Sequence, residues 1–101
     1  MQDRYISVDV ETSGPIPGEF SLLTIGACAV DDHQLSFQCS LRPLNKNAVE
    51  DALRVTGLSM ETLEREGISS IDAMLRFRDW LVEICGAAQR PVFVGLNAPF
   101  D

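Results

Sequence analysis

Tyr5-Ile6-Ser7-Val8-Asp9-Val10-Glu11 alternates without a break, apolar Ile6, Val8 and Val10 on one side and polar Ser7, Asp9 and Glu11 on the other. A period of two is that of a β-strand with one face buried. Downstream, Ser13-Gly14-Pro15 and Pro17-Gly18 are turn formers that end the strand, and Leu22 to Val30 is then almost continuously apolar, as a buried second strand is. A polar turn is expected at Asp31-Asp32-His33-Gln34. Beyond it Leu35, Phe37, Cys39 and Leu41 alternate with Ser36, Gln38 and Ser40, so strands two and three form a hairpin.

The period then changes. Val49, Ala52 and Leu53 fall at helical spacing, with Asn47 as the expected N-cap and Gly57 as the terminator. Ser59 is placed to cap a second short helix that Gly67 closes. Ser69-Ser70-Ile71-Asp72, a serine followed three residues later by an acid, opens the longest helix. In that helix Ile71, Met74, Leu75, Leu81, Val82 and Cys85, widened by Phe77 and Trp80, make the expected core stripe, and Gly86 stands at its end. Pro91 leads into Val92-Phe93-Val94-Gly95-Leu96, a short apolar run between turn residues that reads as a buried fourth strand. Because a helical crossover separates it from the hairpin, this strand is expected to lie parallel to a neighbour. The fold class is therefore α/β, a mixed sheet with a helical crossover. A buried parallel strand normally has a covering helix after it, so the 101 residues are expected to form the N-terminal part of a single domain, incomplete at the C-terminus.

The hydrophobic content of 46% suits an ordinary globular core. No stretch reaches the roughly 20 apolar residues of a membrane helix, and no basic segment leads into an apolar signal core, so a cytoplasmic protein without membrane contact is expected. Cys28, Cys39 and Cys85 are widely spaced and form no C-x-x-C pair, which reads as reduced small apolar filler rather than a zinc or redox site. The formal net charge of -7 argues against binding nucleic acid through a basic surface. An enzyme that gathers carboxylates around divalent cations escapes that argument, because the metals carry the positive charge that meets a phosphate.

Asp9 and Glu11 leave the same face of one strand about 6.6 Å apart along the backbone. Such carboxylates can reach one metal cluster; without cations or water their repulsion is about 4 kcal/mol at 4 Å and an effective dielectric of 20. A D-x-E pair alone is more often just the wet face of an amphipathic strand. A second acidic stretch, Asn97-Ala98-Pro99-Phe100-Asp101, follows the fourth strand directly, and strand ends on that side are where α/β sheets build sites.

The two stretches V-D-V-E-T-S-G-P (8–15) and V-G-L-N-A-P-F-D (94–101) resemble the first and second exonuclease motifs of the DEDD superfamily, in the branch similar to bacterial proofreading subunits. The hairpin and long helix between them come in the order of that family. The resemblance implies a ribonuclease H-like fold and makes Asp9, Glu11 and Asp101 catalytic metal ligands, three of the four acids of a two-metal site. It also implies that Thr12 lies near the 3′-terminal nucleotide, that the Phe100 ring shapes the nucleotide pocket and that the Asn97 amide supports the adjacent turn. Val55-Thr56-Gly57-Leu58-Ser59 resembles a V-H-G-I-T stretch of the same branch, with Thr56 in place of the histidine, and is equally explained as a helix end at Gly57. A third motif, with a His or Tyr general base and the fourth aspartate, is expected after Asp101. His33, the chain's one histidine, reads as a solvated turn residue.

The activity implied is 3′-to-5′ hydrolysis of DNA or RNA by two Mg2+ or Mn2+ ions, with little or no turnover expected of these 101 residues alone. An all-oxygen carboxylate set suits those ions, whereas zinc would recruit His or Cys. The implied partner is a single-stranded 3′ end, with a polymerase or a second copy of the chain as further candidates. Two other readings compete: a non-catalytic ribonuclease H-like module that binds another protein, and a different magnesium-dependent phosphoryl-transfer enzyme whose motif spacing is coincidental.

Overall fold

The computed structural model describes residues 2–95. The chain runs β1 (Gln2–Thr12), β2 (Leu22–Ala29), β3 (Asp32–Ser40), α1 (Glu50–Thr56), α2 (Met60–Glu66), α3 (Ser70–Cys85) and β4 (Gln89–Val94). Among the described residues these strands make one mixed sheet in the order β3-β2-β1-β4. The β1-β2 and β2-β3 pairs are antiparallel and the β1-β4 pair is parallel, as the helical crossover dictates. The hairpin turn is tighter than the sequence suggests: Asp32 and His33 already belong to β3. β4 begins before Pro91 rather than after it, and Pro91 pairs with Arg4. A proline is tolerated there because β4 lies at an edge of the described sheet, where a missing N–H breaks no second ladder.

The alternation in β1 sorts its side chains as expected. Ile6 and Val8 are buried and gather Ala27 and Ala29 from β2 into a core sealed by Phe77, Trp80, Leu81 and Ile84 of α3. A second cluster joins Ile25, Leu41 and Ala73, with Val10, Cys39 and Ile68 against it. Phe37 touches both clusters, its ring 5.4 Å from Phe77 and 5.7 Å from Trp80, spacings at which tilted aromatic pairs attract.

The stripe expected on α3 is placed differently. Of its six residues only Leu81 and Cys85 turn inward, whereas Ile71 is 74% exposed and Val82 65% exposed, with Met74 and Leu75 also exposed. At about 100° per residue, Ile71, Leu75 and Val82 fall opposite Phe77 and Trp80. The larger aromatic area takes the sheet, and the aliphatic stripe is left outside.

Helix ends follow local chemistry. The Ser59 hydroxyl accepts from Thr62 N and the Ser69 hydroxyl from Asp72 N, at 3.3 and 3.1 Å, so both expected caps form. Gly57 ends α1 at φ 73, the left-handed region that glycine enters without strain. Asn47 is not the cap of α1: Val49 holds that position without a side-chain bond, and the Asn47 amide instead donates to Glu19 O at 3.2 Å. Arg4 had no visible role in the sequence. Its guanidinium donates to Ile84 O at 3.0 Å and to Gln89 Oε1 at 3.2 Å, fastening β1 to the C-terminal turn of α3.

Candidate active site

One face of β1 packs on α3, so the other carries Tyr5, Ser7, Asp9 and Glu11. Asp9 is exposed and Glu11 half-buried. Asp9 stands opposite Gly26 and Glu11 opposite Thr24 on β2, and those in turn face Gln38 and Ser40 on β3. An open groove on this face is lined by Ser7, Asp9, Gly26, Cys28, Ser36 and Gln38.

Neither Asp9 nor Glu11 takes part in an ion pair with the described residues; those pairs involve Asp3, Asp31, Asp51, Glu66 and Asp79. Two oxygen-donor carboxylates on one strand face, neither in an ion pair among the described residues, fit a hard divalent cation. Among the described residues no group of three or more His, Cys, Asp or Glu comes together. A site built on β1 therefore needs ligands from elsewhere. Asp101, Asn97 and Phe100, the other expected site residues, lie outside the described residues.

The register of β1 against β2 shifts between Glu11 and Thr12. This bulge takes in Leu23, which is fully buried, and bulges beside functional residues re-aim the chain that follows. Here the chain enters a tight polar turn. The Thr12 hydroxyl donates to Gly14 O at 3.0 Å. Ser13 and Ser21 are fully buried and bonded to each other, and the Ser21 hydroxyl accepts from Leu44 N at 3.0 Å. Ser13 O accepts from Val49 N at 2.7 Å, which ties the approach to α1 to the end of β1. The Phe20 ring lies over Gly14 so closely that a Cβ there would clash with it. Sequence reading saw only turn formers here and missed the two serines that fix the backbone beyond Glu11. A pair of serines flanking a Gly/Pro loop was the one available signal.

Thr56 sits at the end of α1. Its hydroxyl donates to Leu53 O at 3.2 Å and accepts from Leu58 N at 3.3 Å, so the Thr56-Gly57 stretch closes a helix. His33 lies toward the far end of β3, beyond Ser36 and away from Gln38, which shares Asp9's row. It is not part of this face's acidic site. No helix among the described residues is long and apolar enough to cross a membrane.

No protein-family model matches the chain. In sequence it is 45% identical over 100 residues, 99% of its length, to the 3′-5′ DNA exonuclease Cap18 of Escherichia coli, and spans 54% of that relative. In structure it is similar to the nuclease domain of 3′hExo, a DEDDh family member bound to rAMP, with a TM-score of 0.77 at 13% identity over 98% of this chain and 54% of that one. It is also similar to the metal-free complex of E. coli ExoI with ssDNA, with a TM-score of 0.73 at 16% identity over 95% of this chain and 21% of that one. Exonucleases of this kind generally use divalent metal ions. The likeness to these solved structures shows the fold, a ribonuclease H-like mixed sheet, and the chain spans about half the length of the sequence relative it matches.

Proposed function

We propose that the protein is a 3′-to-5′ exonuclease that removes nucleotides one at a time from single-stranded 3′ ends, with DNA as the favoured substrate. The observation that carries this reading is the Asp9-Glu11 pair, two carboxylates without a basic partner among the described residues, on the open face of the central strand. The preference for DNA rests on the relative named a DNA exonuclease.

Asp9 and Glu11, with Asp101, would hold two ions, Mg2+ or Mn2+, that suit all-oxygen ligands. Ions bound there supply an activated water and stabilise negative charge on the departing 3′ oxygen. The chain's own contribution is position. The β1 ladder fixes the spacing of Asp9 and Glu11, and the Ser13-Ser21 turn fixes the backbone where Thr12 would meet the terminal nucleotide. Phe100 is the proposed wall of the nucleotide pocket, and the Asn97 amide the proposed support of the turn beside it. With a formal net charge of -7, the acidic chain would rely on its cations to admit the phosphate.

The reading is tested by giving the full-length protein single-stranded oligonucleotides labelled at either end, in Mg2+ and in Mn2+. A 5′ label should yield a ladder that shortens from the 3′ end, and a 3′ label should appear at once as a mononucleotide. Internal cuts, or a mononucleotide released first from the 5′ end, would overturn the proposal. The protein-binding module is not favoured, because the sequence relative is itself named for exonuclease activity.

A further inference from the structure

Asp9, Gly26 and Gln38 stand in one row across β1, β2 and β3, on the same face of the sheet. The middle member has no side chain. A Cβ on Gly26 would lie 3.2 Å from Gln38 Oε1 and 3.7 Å from the Asp9 carbonyl oxygen, so the glutamine already leans across β2 toward β1 over the space that Gly26 leaves. Both Gln38 and Asp9 line the groove on this face. Two strand spacings separate the ends of the row, about 9.5 Å. An extended glutamine and an aspartate reaching toward each other bridge that distance directly or through one water.

We propose that Gln38 is a positioning residue for Asp9: a half-turn of its carboxamide, which brings the N–H in place of Oε1 over Gly26, lets it donate to one carboxylate oxygen and leaves the other free for the cation. The inference rests on the reading of Asp9 as a metal ligand. A carboxylate that holds a metal through one oxygen is oriented by what the other oxygen accepts, and partners of this kind govern affinity as well as geometry. Glutamine suits the role because it donates without bringing a charge that would compete with the metal. The preceding outward position of β3, Ser36, is aligned with Cys28 and Ser7, one row away from Asp9, and serves as the control.

The test is Mn2+ binding to the full-length protein, followed by electron paramagnetic resonance of the free ion, together with the thermal midpoint of the metal-free protein. Gln38→Leu should weaken Mn2+ binding about tenfold or more with the midpoint unchanged. Gln38→Met, which keeps the length but not the donor, should do the same and guards against a packing fault peculiar to leucine. Ser36→Ala should bind as the wild type does. Wild-type affinity in Gln38→Leu and Gln38→Met, with binding abolished in Asp9→Asn, would overturn the role of Gln38 alone; equal weakening by Ser36→Ala would do so too. Unchanged binding in Asp9→Asn would remove the metal reading of Asp9 itself.

Discussion

Ser13 and Ser21 bind each other twice: Ser13 N donates to Ser21 O at 2.9 Å, and Ser21 N donates to the Ser13 hydroxyl at 2.8 Å. Both are buried, at 0% and 1% exposure, so removing one partner leaves a polar group without water to replace it. Ser13→Ala orphans Ser21 N and is expected to cost about 1–3 kcal/mol, read as a lower urea midpoint with an unchanged slope. Because the turn starts two residues after Glu11, nuclease activity should also fall at temperatures where the variant remains folded.

Asp9 and Glu11 are like charges on one face of β1, and neither has an ion-pair partner among the described residues. Asp9→Asn and Glu11→Gln are therefore expected to leave the metal-free thermal midpoint unchanged or raised. Mg2+ or Mn2+ should raise the midpoint of the wild type, since a ligand that binds only the folded state stabilises it, and should raise it less in either variant. Differential scanning fluorimetry with and without metal checks both signs. Identical metal shifts in the wild type and both variants would count against the site.

Gly67 is held between backbone segments. A Cβ there would meet Leu63 O and Leu41 C at 2.5 Å and Arg42 N at 2.6 Å, none of which is a side chain that can swing away. Gly67→Ala should cost at least the ~1–3 kcal/mol typical of overpacking. Val55→Ala, at a site 85% exposed, should change the unfolding free energy by less than about 0.5 kcal/mol. Chemical denaturation of the two variants makes the comparison.

Cys39 packs beneath β3 against the second core cluster, and burial pushes its thiol above the ordinary range, against smaller opposing effects of a hydrogen bond with Ile25 and the charge of Arg76. A raised value in the folded state means that folding favours the neutral thiol. The associated stability is fully present below the ordinary thiol range and is lost as pH rises through the folded value. Alkylation of Cys39, followed by peptide mass spectrometry across pH, should have its midpoint above that of a free thiol. A midpoint at or below the free thiol would contradict this.

The first two strands were legible because each carries a clean signal: Ile6, Val8 and Val10 alternate with polar residues, and Leu22 to Val30 is apolar but for Thr24 and Gly26. Ser59, Ser69 and Gly57 declared their helix ends for the same reason, since caps depend on neighbours within a turn. Asn47 misled because nothing in a linear reading shows that its amide can reach Glu19 O across the fold. The face of α3 misled because Ile71, Leu75 and Val82 share the apolar character of Phe77, Trp80 and Ile84, and which set is drawn in depends on the sheet residues it meets, Ile6, Val8, Ala27, Ala29 and the Phe37 ring. Of the proposed site, the shared strand face of Asp9 and Glu11 could be read from spacing. Gln38 could not, because its relation to Asp9 exists only through the register of two strand pairs.

The central claim is that the Asp9 carboxylate takes part in cutting the terminal phosphodiester. Its most direct test is single-turnover cleavage of a 5′-labelled single-stranded DNA in Mg2+ by the full-length wild type and by Asp9→Asn, with folding verified by circular dichroism. The wild type should shorten the strand from its 3′ end while the variant, equally folded, loses about three orders of magnitude in rate, the loss of roughly 4 kcal/mol of transition-state stabilisation. Cleavage by the variant at the wild-type rate would contradict the account.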